Sequence, residues 1–80
     1  DTGLISAPIP GVVMDIKTVE GDQVDANQVL VVLESMKMLM EFRAPFAGQV
    51  DKIYVTRGQS VEKGSDMVRL REDAGSQPVK

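Results

Sequence analysis

Glu34-Ser35-Met36-Lys37-Met38 stands where two halves of the chain meet, and the two halves repeat each other. A shift of 37 positions lays residues 7–34 on residues 44–71 without a gap, with 9 identities in 28 aligned positions. Ala7-Pro8 falls on Ala44-Pro45, Gly11 on Gly48, Val13 on Val50 and Ile16 on Ile53. Gly21 falls on Gly58, Val24 on Val61, Val31 on Val68 and Leu33 on Leu70. Self-similarity at a fixed offset marks one supersecondary unit used twice. Lys37 therefore sits where the first copy hands over to the second.

Outward from that junction, both copies read as β structure. Short β-branched runs alternate with Gly, Asp, Asn and Gln, and no apolar period of 3.6 residues persists. The clearest expected strands cover residues 12–19, 29–36, 38–43, 49–56 and 66–71, with short ones at Ile5-Ser6-Ala7, Gln23-Val24 and Ser60-Val61. Gly21-Asp22 and Gly58-Gln59 are equivalent turns, and Asn27 and Gly64 correspond as residues that tolerate left-handed backbone. Alternation places Val31, Leu33, Val68 and Leu70 inward, together with Val29, whose counterpart is Asp66. Val13 and Ile16 lie three apart, as do Val50 and Ile53, and that odd spacing between inward residues predicts a bulge in each long strand. The expected fold is all-β: a flattened antiparallel barrel or sandwich of two quasi-twofold-related four-stranded sheets, one sheet per half.

Size and composition limit what such a fold can do. Eighty residues make one small domain, whose core supplies on the order of 3–5 kcal/mol of net stability. Cysteine and histidine are both absent, which removes disulfides, thiolate nucleophiles, zinc sites of the usual kind and Ser-His-Asp chemistry. The net charge is −3 with both signs interspersed, unlike the basic footprint of a nucleic-acid binder. The longest apolar run, Val29 to Leu33, is too short to span a membrane as a helix. Neither nucleic acid nor membrane is an expected partner. The acids Asp15, Glu20, Asp22 and Asp25 scatter around turns without calcium-loop order and read as solvated surface, as do Tyr54 and Arg57. Expected boundaries are an N-terminal linker over residues 1–5, a domain over 6–72 and a disordered tail over 73–80. A first residue of Asp suggests a domain cut from a longer polypeptide.

The turn chemistry at the junction is unusual. A strand ending at Met36 and another starting at Met38 leave Met36-Lys37 as a tight hairpin turn. Two-residue hairpins favour Asn-Gly or Asp-Gly because both central residues take positive φ. A non-glycine residue held there costs roughly 1–2 kcal/mol, and such strain concentrates at functional positions. A turn tip also throws its side chain into solvent. An ordinary lysine ammonium is a poor nucleophile, and no histidine stands nearby to activate it. Exposure suits a lysine that another enzyme acylates, since that enzyme supplies both base and desolvation.

Glu34-Ser35-Met36-Lys37-Met38, with the paired Ala-Pro and Gly signals in register, resembles the attachment signature of biotin carboxyl carrier domains from about Ser6 to Arg71. The resemblance implies a flattened barrel with quasi-twofold symmetry and covalent biotin on Lys37, added by biotin protein ligase through biotinyl-adenylate. It implies Met36 and Met38 as flanks facing ligase and cofactor, and Glu34 and Ser35 as further members of the recognised motif. The further implied partners are a biotin carboxylase and a carboxyltransferase of an acyl-CoA or pyruvate carboxylase. The implied compartment is the cytoplasm, or the mitochondrial matrix in a eukaryote. Leu39-Met40 departs from the Glu-Thr that follows the second methionine in many members. Met40 shares parity with Met38 and Phe42 and is expected to pack inward, leaving Leu39 outward as a surface residue or a docking contact. No insertion enlarges the first half, so the protruding thumb of some bacterial carriers is missing. The runner-up is a lipoyl carrier, against which the two methionines argue, because lipoyl domains typically flank the lysine with Asp and Ala. An adaptor module would interrupt this hairpin with a long helical insertion.

Overall fold

Each expected β segment is a strand in the computed structural model, which describes residues 3–72. In chain order they are β1 (Leu4–Ser6), β2 (Gly11–Ile16), β3 (Gln23–Val24), β4 (Val29–Ser35), β5 (Met38–Arg43), β6 (Gly48–Ile53), β7 (Ser60–Val61) and β8 (Asp66–Glu72). They form two four-stranded antiparallel sheets, ordered β1-β8-β6-β3 and β5-β4-β2-β7. The sheets pack face to face and do not close into one continuous barrel. Advancing each strand by one copy of the repeat turns the first order into the second, so the quasi-twofold symmetry is built into the pairing. β1 takes in Leu4 and Ile5, with Leu4 paired to Arg69. β1 thus includes two of the residues expected as linker, and the tail expected over 73–80 lies outside the described residues.

One sheet per half is not what the chain builds. Each sheet has the two long strands of one half at its centre (β2 and β4, or β6 and β8) and one strand of the other half at each edge. The reason lies in the connections. Six of the seven carry the chain from one sheet to the other, and only the β4–β5 turn stays within a sheet. At the crossings, backbone donors in one sheet's turns reach carbonyls in the other. Gly21 N–H donates to the Val50 carbonyl (2.8 Å) and its repeat partner Gly58 N–H to the Val13 carbonyl (2.7 Å). Asn27 N–H donates to the Ala44 carbonyl and Gly64 N–H to the Ala7 carbonyl, both at 2.7 Å. All four donors have positive φ, the backbone geometry expected of those positions. Each half thus leaves its long pair unfinished until the other half supplies the edges.

Bulges place the core. Met14 is the extra residue between Val13↔Leu33 and Asp15↔Val32, and Asp51 the extra one between Val50↔Leu70 and Lys52↔Arg69. These are the bulges that the odd spacing required, and they let Val13 and Val50 be buried while Ile16 and Ile53 also face the interior. A second repeat-related pair was not legible. Leu30 is skipped between Val29↔Arg43 and Val31↔Phe42, and Met67 between Ile5↔Val68 and Ser6↔Asp66. Strict alternation points Leu30 and Met67 outward. The irregularity turns both inward, to 0% exposure, and leaves Val29 only half-buried. β2 and β6 are shorter than expected because the chain leaves the ladder after Ile16 and Ile53 and buries Thr18 and Val55. The Thr18 hydroxyl donates to the Asp22 carboxylate (2.9 Å), which also accepts from Val19 N–H (3.1 Å), so a polar group in the core layer is satisfied locally.

Gly11 and Gly48 are set by close strand approach. A Cβ at Gly48 would lie 2.3 Å from the Arg71 carbonyl oxygen, and one at Gly11 would lie 2.6 Å from that of Glu34. Backbone, not a flexible side chain, is in the way. Gly48→Ala is therefore expected to lower stability by about 1–3 kcal/mol, the usual cost of forcing strands apart. Urea denaturation of the variant checks this, and an unchanged midpoint would show that the strands yield freely.

Candidate functional site

β4 and β5 pair in register from Glu34↔Leu39 to Ser35↔Met38, and a two-residue loop closes the hairpin. Met36 has φ 53° and Lys37 φ 66°, the double positive φ of a type I′ turn, whose twist matches that of the flanking strands. The turn expected from residue spacing is the turn observed. Met36 is 86% exposed and Met38 61%. Lys37 is exposed as well, and its ammonium has no hydrogen-bond or ion-pair partner among the described residues.

The hairpin is anchored immediately below its tip. Ser35 is 8% exposed, and its hydroxyl donates to the Pro10 carbonyl at 2.7 Å. Ser35 thus points into the body and is not part of the exposed tip. Nothing in the sequence links two residues 25 positions apart, so this contact could not be foreseen. Glu34 lies on the outer face, opposite Val12 on one side and Leu39 on the other. Leu39 faces outward as expected, at 65% exposure, and Met40 and Phe42 pack against the core. Met38, of the same parity, stays exposed because the sandwich ends beneath it. The structure therefore brings Met36, Lys37 and Met38 together at the tip, sets Glu34 beside them and turns Ser35 inward.

The acids have local roles. Asp15 pairs with Lys17 (3.1 Å), and that hydrogen bond holds its carboxyl below the ordinary range. Glu20 accepts from Ile53 N–H (3.0 Å) and Asp22 organises its own turn. Among the described residues no three Asp or Glu side chains cluster closely enough to hold a metal ion.

The strain at Met36 is testable. Met36→Gly removes the left-handed penalty of roughly 1–2 kcal/mol and is opposed by about 0.5–1 kcal/mol of extra freedom in the unfolded chain. The expected result is a gain of about 0.5–1 kcal/mol, read as a higher urea midpoint with an unchanged slope. A lower midpoint would mean that the methionine side chain stabilises the turn.

A family model described as "Biotin-requiring enzyme", covering biotinyl and lipoyl domains, matches residues 3–70. The chain belongs to this family. The biotin carboxyl carrier protein of Streptococcus mutans is 41% identical over 64 residues, covering 80% of this chain and 49% of that protein. Mitochondrial pyruvate carboxylase of Homo sapiens is 44% identical over 66 residues, 82% of this chain and 6% of the enzyme. This biotinyl-family chain thus spans about half of one relative's length and a small part of the other's. Among solved structures, a single-chain, multi-domain long-chain acyl-CoA carboxylase superposes with a TM-score of 0.82 at 32% identity, over 89% of this chain and 7% of that one. The lipoyl domain of the 2-oxoglutarate dehydrogenase complex from Azotobacter vinelandii superposes at 0.80 with 26% identity, over 89% of this chain and 98% of that domain.

Proposed function

We propose that this chain is a biotin carboxyl carrier domain, running from β1 to β8, with biotin joined through an amide to Lys37 Nζ. The observation that carries the reading is the tip itself. Lys37, without a hydrogen-bond or ion-pair partner among the described residues, stands on a type I′ turn of Met-Lys, at the one connection between the described strands that stays within a sheet. In the loading step the deprotonated amine attacks the acyl carbon of biotinyl-adenylate. A C–N bond forms, the bond from acyl carbon to phosphate oxygen breaks, AMP leaves, and the amine's proton passes to a base of the ligase. The chain supplies an accessible nucleophile on a rigid mount and no base of its own.

Bound biotin supplies the carboxyl-carrying chemistry, with carboxylation and transfer catalysed by partner enzymes. The domain's part is tethering, which replaces diffusion by a high local concentration wherever the arm reaches. A biotin carboxylase and a carboxyltransferase are the proposed partners, and an acyl-CoA or pyruvate the proposed acceptor, in the cytoplasm or mitochondrial matrix. Acylation removes one positive charge and takes the net charge from −3 to −4. Incubation with biotin, ATP and a biotin protein ligase, followed by intact-mass measurement, tests the proposal. One biotinyl group per chain is expected, and none with lipoate, ATP and a lipoate ligase. A lipoyl adduct in place of a biotinyl one would make this a lipoyl carrier.

A further inference from the structure

A cleft of about 700 Å³ opens beside the hairpin, bounded by residues 9–12, 34–37 and 60–62, and Lys37 is one of its walls. Its size lies within the range of small-molecule sites. The repeat shows that its lining is special to this end of the molecule. The quasi-twofold axis relates Ile9, Pro10 and Val12 to Phe46, Ala47 and Gln49, and Ser60 to Gln23. Only the residues that the fold requires, Gly11/Gly48 and Val61/Val24, are the same at both ends. At the other end the Phe46 ring packs close to Gly3, so that a Cβ there would come within 3.4 Å of it. At the Lys37 end the smaller Ile9 takes that place, and Val12 keeps an apolar side chain 37% exposed where the copy has glutamine.

We infer that this cleft is a resting site for the biotinyl group carried on Lys37, an inference that rests on the attachment reading above. The lining fits the group's chemistry. Biotin's fused rings and aliphatic chain are apolar on most of their surface and match Ile9, Pro10 and Val12. Its ureido edge presents two N–H donors and one carbonyl acceptor. The cleft offers the Glu34 and Glu62 carboxylates as acceptors and the Ser60 hydroxyl as a donor. The tether makes a weak site sufficient. A group held on a short flexible arm has an effective concentration on the order of millimolar at a site within reach. Docking there takes the ring out of free solvent between visits to partner enzymes while the sheets stay unchanged.

The test uses the isotope-labelled 80-residue chain, loaded with biotin and checked by intact mass. Nuclear Overhauser contacts are expected between biotin ring protons and the methyls of Ile9 and Val12. Amide shifts should reach residues 11–12 and 60–62 as well as 34–38. Ser60→Trp, which fills the cleft, should gain the same mass increment on loading and lose those contacts. Val12→Gln, which installs the residue of the second copy, should weaken them with the amide spectrum elsewhere unchanged. A loaded chain whose shifts stop at residues 34–38, or contacts that persist in Ser60→Trp, would overturn the cleft and leave the attachment reading standing. An unmodified mass would remove both.

Discussion

Lys37→Arg is expected to abolish biotin loading completely while the fold stays intact. Arginine keeps the charge and length of the side chain and faces the same positive φ at the turn. Its guanidinium is delocalised and does not lose its proton near neutrality, so it offers no free amine to an acyl-adenylate. Intact mass after ligase treatment should show full conversion of the parent chain and none of the variant. Amide spectra of the two proteins should differ only near residues 34–39. An adduct on the variant would place the attachment point elsewhere, and Lys17, Lys52, Lys63 and Lys80 would then be examined in turn. The comparison is decisive because the Lys37 side chain has no structural partner among the described residues, so its replacement should disturb little else.

Leu33→Ala carries the largest expected stability effect. Leu33 is completely buried in β4, paired with Val13 on β2 and with Met40 on β5. Truncating a buried leucine costs about 2–5 kcal/mol, and a domain this small has a net stability of about 3–5 kcal/mol. The variant should therefore be largely unfolded, or melt far below the parent, in thermal and urea denaturation followed by circular dichroism. β4 leads directly into the Met36-Lys37 turn, so poor loading of this variant would reflect lost folding. The conservative Leu33→Met should keep both stability and loading nearly intact. An unchanged melting temperature for Leu33→Ala would mean that the core at the centre of this sheet carries less than its burial implies.

The two substitutions probe parts of the molecule that differ in how they could be read. The hairpin site was open to inspection along the chain, because a two-residue turn is a local object. Once strands are recognised on both sides of Met36-Lys37, φ must be positive at both positions, and exposure of the tip follows. The bulges at Met14 and Asp51 were legible for the same reason, since a change in parity within one strand shows as odd spacing of inward residues. Leu30 and Met67 were not. Each lies in an apolar or mixed run that fits simple alternation, and only pairing with a neighbouring strand shows that the register skips them.

Local periodicity and the internal repeat were thus enough to specify strand positions, turn types, the quasi-twofold symmetry and the single exposed lysine at the junction, because each depends on residues close together in the chain or related by one constant offset. Interleaving of the halves, the inward turn of Leu30 and Met67, the Ser35–Pro10 anchor and the cleft beside Lys37 emerged only on folding. Each depends on which distant segment comes to lie alongside. That choice is made by edge strands seeking backbone partners and apolar faces seeking cover, requirements that the whole chain satisfies together and no single stretch displays.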